Sequence, residues 1–208
     1  MGNKEDFFKL KINDIANSYK TAVSLSLIAL AENNIKLVRD LHKKLGNIFS
    51  KLKDIIYMCG DDEIAQKVKN DDFENLPQWL ESAKMADYSR KLLALKYTNT
   101  NYDDFEDKIM INKMAIELNP KEEIPYIKIA RTLFEDGHAL QALELCEYIK
   151  TFSDTIPLLS LSGEIYRSLG MYAESIDAYS NILKINEDDE ETLATIEEIC
   201  EEVLVGNG

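Results

Sequence analysis

The chain has 208 residues, of which 45% are hydrophobic and 30% charged, with eight glycines, four prolines and a formal net charge of −14. That length can bury a sizeable core, and the sparse glycine and proline favour an all-α fold. The charge is uneven: residues 1–97 carry 16 Lys+Arg against 14 Asp+Glu, whereas residues 98–208 carry 8 against 24, so the second half repels phosphate backbones and anionic lipid, which argues against nucleic acid and membrane surfaces and leaves a basic protein partner open.

Residues 1–72 read as an N-terminal helical hairpin. The first helix is expected from about Glu5 to Ala31, with a stripe of Phe8, Ile12, Ile15, Tyr19 and Val23; its later part, Leu25, Leu27, Ile28 and Leu30, is apolar almost all round and implies cover on more than one side. Asn34 can cap a second helix, about Ile35 to Met58, whose seam is Val38, Leu41, Leu45, Ile48, Leu52 and Ile55. That seam favours an antiparallel hairpin over a dimer-forming coiled coil, being under three full heptads. Cys59-Gly60 ends the helix, and the polar stretch Asp61 to Asp72 is the expected domain boundary.

Beyond it, residues 73–208 form the second expected domain. Leu76-Pro77 opens a helix to about Tyr97, as Ile124-Pro125 and Ile156-Pro157 open later ones. A return helix from about Asp103 to Leu118 completes a divergent hairpin over 73–122. Two regular units follow, 123–155 and 156–189: Gly137 is matched by Gly170 and Leu133 by Tyr166, 33 residues on. In the second unit Gly163 lets the returning helix approach closely while Tyr166 and Tyr179 fill the flanks. A capping helix over 190–204 carries Leu193, Ile196, Cys200 and Val203 on its packing side, and Gly206-Asn207-Gly208 is expected to fray.

The run Leu159-x2-Ser162-Gly163-x2-Tyr166, Gly170-x-Tyr172, Ser175-x3-Tyr179, Ile182-Leu183 resembles the tetratricopeptide repeat, with Ser162, Ser175 and Glu187 where that family has leucine, alanine and proline. The resemblance covers about 67 residues, Glu123 to Asp189. It implies a short α-solenoid whose first helices line a concave groove for a peptide or helix of another protein. Carried over residue by residue, the groove would present Ile127, Arg131 and Phe134 from one unit and Ser160, Glu164 and Arg167 from the next. The arginines would meet a partner's carboxylates and Ile127 and Phe134 its apolar groups; the alternative is that Phe134 is core and the arginines pair with Glu135 and Glu164.

No enzymatic chemistry is visible. His42 and His138 lack a partner at metal-ligand spacing and read as solvated positions, so neither metal nor cofactor is expected. The acidic runs Asp103-Asp104 and Glu187 to Glu191 precede helices and read as caps. Cys59, Cys146 and Cys200 are far apart without a CxxC, which fits a reducing, cytoplasmic setting; Cys146 and Cys200 fall on apolar stripes and are expected to be buried. Met1 to Leu10 has no apolar run, Asp6 breaks a myristoylation motif, and the apolar window Ala22 to Ala31 is too short for a bilayer. The expected function is a non-catalytic protein-interaction module. Its rivals are a self-assembling scaffold joined through the N-terminal helices, a secretion-type chaperone or peptide-sensing regulator, and a tethering subunit of a larger enzyme system.

Overall fold

In the computed structural model, which describes residues 2–206 (residues 2–5 by backbone alone), every regular element is helical. In chain order they are α1 (Gly2–Ala31), α2 (Ile35–Tyr57), α3 (Asp62–Lys69), a 3-10 turn (Gln78–Leu80), α4 (Glu81–Asn99), α5 (Phe105–Leu118), α6 (Ile124–Glu135), α7 (Ala139–Lys150), α8 (Ile156–Ser168), α9 (Tyr172–Ile185) and α10 (Glu190–Gly206). They gather into two compact units, residues 1–100 with 117–119, and residues 101–116 with 120–208. Gly206 closes α10, and the fraying expected of Asn207 and Gly208 lies outside the described residues.

The first unit is built on the hairpin of α1 and α2. Asn34 caps α2 as its sequence position suggests, accepting the Leu37 amide at 3.1 Å, and Asn33 makes the bend at φ 52°. The buried line on α2 runs through Val38, Leu41, Leu45, Phe49, Leu52 and Ile56, so Ile48 and Ile55 are only half-buried. A straight helix of 3.6 residues per turn drifts off a seven-residue seam, and here the drift brings Phe49 and Ile56 inward. Phe49 stands between the rings of Tyr19 and Phe73, with centroids 5.2 and 5.4 Å away.

Several expectations for this half change. Residues 61–72 contain α3, capped by Asp61 on Ile64, and lie within the first unit; the compact units part at Thr100 instead. Pro77 is extended (ψ 155°) ahead of the 3-10 turn, so α4 begins later than its proline suggested. α4 packs along α1, whereas α5 through Ile116 belongs to the second unit, so no hairpin over 73–122 forms a body of its own. α1 is covered on two sides, by α2 and α4, yet its third side leaves Leu25 and Ile28 exposed. His42, expected in solvent, is buried, its ring 5.9 Å from Tyr97 and its Nε2 2.8 Å from Glu117.

A buried ionic knot closes the first unit. Arg90 of α4 donates through Nε to Asp87 at 3.0 Å and through Nη2 to Asp71, while its guanidinium lies 4.7 Å over the Phe49 ring. Burial alone would push the Asp71 carboxyl up; the Arg90 hydrogen bond and charge, with Lys53 and Lys91, hold it below the ordinary aspartate value.

The second unit stacks α6 on α7, α7 on α8, α8 on α9 and α9 on α10, with α8 also beside α6. α6 and α8 end alike. The His138 amide donates to Leu133 at 2.8 Å and the Gly137 amide to Phe134 at 3.0 Å; 33 residues later Met171 donates to Tyr166 at 2.9 Å and Gly170 to Arg167 at 3.0 Å. Gly137 and Gly170 take φ 84° and 72°, a left-handed turn open to glycine at no steric cost. One core joins Ile127, Ala130, Ala142, Cys146, Ile149, Leu158, Leu161 and Ile165 across α6 to α8, and another joins Leu159, Tyr179, Ile182 and Ile199 across α8 to α10. Gly163 is in contact with Tyr179, as its spacing suggests: a Cβ there would stand 2.7 Å from the ring. Ser175 Oγ, where the family has alanine, donates to the Gly163 carbonyl at 2.8 Å and so satisfies its own burial.

Candidate functional site

The regular phase of the second unit carries one turn of α6, one of α8 and one of α10 onto a shared face. Arg131 of α6 reaches Glu164 of α8 through both terminal nitrogens, each 3.0 Å from a carboxylate oxygen. Arg167 of α8 reaches Glu198 at 3.3 Å and Glu202 through Nε at 3.2 Å, both on α10. Two guanidiniums therefore serve three carboxylates, and the line of ion pairs crosses three alternate helices with a net negative charge. The Glu164 hydrogen bond raises the pKa of Arg131, and the Glu202 hydrogen bond does the same for Arg167. Glu202 in turn is held below the ordinary glutamate value by Arg167.

Of the six residues read from the sequence as groove-lining, the structure brings Arg131 and Glu164 together and sets Arg167 beyond them. Ser160 is half-buried on α8. Ile127 is buried in the core of α6, α7 and α8 and offers no surface; α8 lies close beside α6 and closes over that edge. Phe134 is half-buried against the same core. Pairing through Glu135 gives way to Glu164, and Glu198 and Glu202 were not anticipated at all. Their signal was present only as a run of glutamates on α10, because the partner lies 31 and 35 residues upstream.

A cleft elsewhere in the second unit was also missed. This cleft of about 590 Å³ is lined by Lys150, Asp154, Tyr166, Glu174, Asp177 and Asn181, together with Leu159, Ala173 and Ala178. Within it Tyr166 donates to Glu147 at 2.8 Å and lies under the Lys150 ammonium, 5.4 Å from the ring centroid. Burial and the Glu147 carboxylate push the Tyr166 phenol up to about 12.

Among the described residues no group of three or more His, Cys, Asp or Glu side chains is arranged to hold a metal ion, and no helix is long and apolar enough to cross a membrane. His138 is exposed, 3.2 Å from Asp136. The acidic runs do act as caps: Asp104 accepts the Asp107 amide at 3.0 Å, and Asp189 accepts the Thr192 amide at 3.4 Å. Cys146 is buried, and its thiol is pushed up by that burial, but Cys200 is exposed. α10 turns Ile199 and Thr192 inward, and that rotation carries Cys200 and Leu193 off the packing side.

No protein-family model matches the chain, and no curated protein matches it. Among solved structures it is similar to a thermophilic TPR protein of Thermus thermophilus, at 14% identity and a TM-score of 0.44, over 88% of this chain and 98% of that one. It is also similar to the APC/C hetero-tetramer Cut9–Hcn1, at 13% identity and a TM-score of 0.44, over 94% of this chain and 40% of that one. Likeness of that order says nothing of what this chain binds. The 33-residue phase of its glycine turns and the seating of Tyr179 on Gly163 make residues 123–189 a pair of tetratricopeptide-like helical repeats.

Proposed function

We propose that the second unit is a protein-interaction module that takes a peptide or helix of a partner protein on the face shared by α6, α8 and α10. The observation that carries this reading is the line of half-exposed ion pairs, Arg131 with Glu164 and Arg167 with Glu198 and Glu202. Exposed pairs of this kind add about 0–1 kcal/mol to a fold, so the array has little need of them for stability. A bidentate guanidinium can exchange one carboxylate for another at small cost, and the surplus carboxylate favours a partner with basic residues. Cysteines kept as thiols fit a reducing compartment, and we place the protein in the cytoplasm.

The test is the double substitution Arg131→Glu with Arg167→Glu, followed by quantitative affinity purification beside the unaltered chain. The expected result is a partner lost at least tenfold with an unchanged helical spectrum and melting temperature. Capture at the normal level would remove this face from consideration.

A further inference from the structure

We propose that α4 of one copy of this chain receives α10 of a second copy, a head-to-tail contact that is separate from the ion-paired face. α4 is apolar on two sides. One side buries Ala83, Ala86, Leu93, Ala94 and Tyr97 within the first unit. The other leaves Met85, Tyr88, Leu92 and Leu95 exposed at 42%, 63%, 36% and 52%. Their spacing of three, four and three residues makes one continuous stripe, the seam of a two-helix contact. Lys84 flanks that stripe along one edge and Lys96 along the other; Lys91, on the first edge, is held 2.9 Å from the buried Asp87.

The lysine rim decides what the seam accepts. A second α4 laid on it would oppose lysine to lysine, whereas an apolar stripe rimmed by carboxylates would be complementary. α10 carries such a stripe. It packs on α9 through Ile199 and turns Glu198 and Glu202 to Arg167. Its free edge leaves Leu193 at 44%, Leu204 at 75% and Cys200 exposed, and Glu190, Glu197 and Glu201 border that edge. This is the open end of the array, the side on which a longer solenoid would add its next helix. An anionic membrane would also suit a lysine-rimmed apolar stripe, but the 24 carboxylates against 8 cations of residues 98–208 oppose it.

Because the two surfaces differ, each copy keeps one free end after docking, and association continues to a ring or a filament. The experiment is size-exclusion chromatography with light scattering on the full chain over a range of concentration and salt. The expected mass rises with concentration and falls toward a single chain at high ionic strength. Tyr88→Gln with Leu92→Gln blocks α4, and Leu193→Gln with Leu204→Gln blocks α10; all four positions are exposed, and circular dichroism confirms the fold. Each variant alone is expected to be a single chain, and an equimolar mixture of the two to recover a two-chain species and nothing larger. A single chain for the unaltered protein at every concentration would overturn the proposal, as would growth that survives both variants. So would a mixture that stays single-chain, which marks a symmetric contact, or binding to phosphatidylserine vesicles in place of self-association.

Discussion

Gly163 shows how much one missing methyl group can decide. A Cβ at that position would sit 2.7 Å from the Tyr179 ring, which is itself buried in the core. Gly163→Ala should therefore cost about 1–3 kcal/mol of overpacking, offset by up to about 1 kcal/mol of helix propensity. Gly46, in α2 with nothing within 4 Å, is the matched contrast, and Gly46→Ala should stabilise by up to about 1 kcal/mol. Thermal melts of the two variants check the opposite signs. Cysteine accessibility gives a second prediction at this scale: a maleimide should label Cys200 rapidly and leave Cys146 unreacted until the chain unfolds, read by mass spectrometry. The close contact at Gly163 was legible in the sequence because the repeat fixes its place. The burial of His42 was not, since its partner Glu117 lies 75 residues away and no local period points to it.

Among the elements, α2 could be read almost to the residue, because an amphipathic period, the Asn34 cap and Gly60 agree there, and the pairs α6–α7 and α8–α9 followed from the 33-residue phase of Gly137 and Gly170. The packing sides of α4 and α10 could not be read. Both carry apolar residues on more than one side, and periodicity then names the candidates without saying which side a neighbour will cover. The acidic capping helix was foreseen, but its rotation about its own axis was set by Ile199 and by Arg167, two contacts that only the packed array supplies. α4 also holds the ionic knot of the first unit. Asp71 is held below its ordinary value there, so the stabilisation it provides is present above the usual aspartate range and is lost as pH falls through the depressed value. Asp71→Asn should flatten that acid dependence in denaturant titrations between neutral and strongly acidic pH. Arg90→Met, which leaves the buried Asp87 only its pair with Lys91, should destabilise by up to about 3 kcal/mol at neutral pH.

At the scale of the whole molecule, the two compact units part close to the residue at which the charge balance changes. Residues up to 97 are nearly neutral and those after it strongly acidic, and the compact units part at Thr100. The boundary expected at 61–72 failed because a polar, acidic stretch also describes a short capped helix such as α3. Of the six residues expected to line the groove, Arg131, Glu164 and Arg167 share the ion-paired face; the repeat phase says which residues are equivalent, whereas the helix beside them decides which stay in reach of a partner. α5 adds a constraint of another kind. One continuous helix supplies residues 105–116 to the second unit and Glu117 and Leu118 to the first, where Glu117 meets His42. No single cut divides such a chain into two intact bodies: a fragment ending at residue 100 leaves His42 buried without its carboxylate, and one beginning there carries a last turn of helix whose partners have been left behind. The molecule has two units but one indivisible thread.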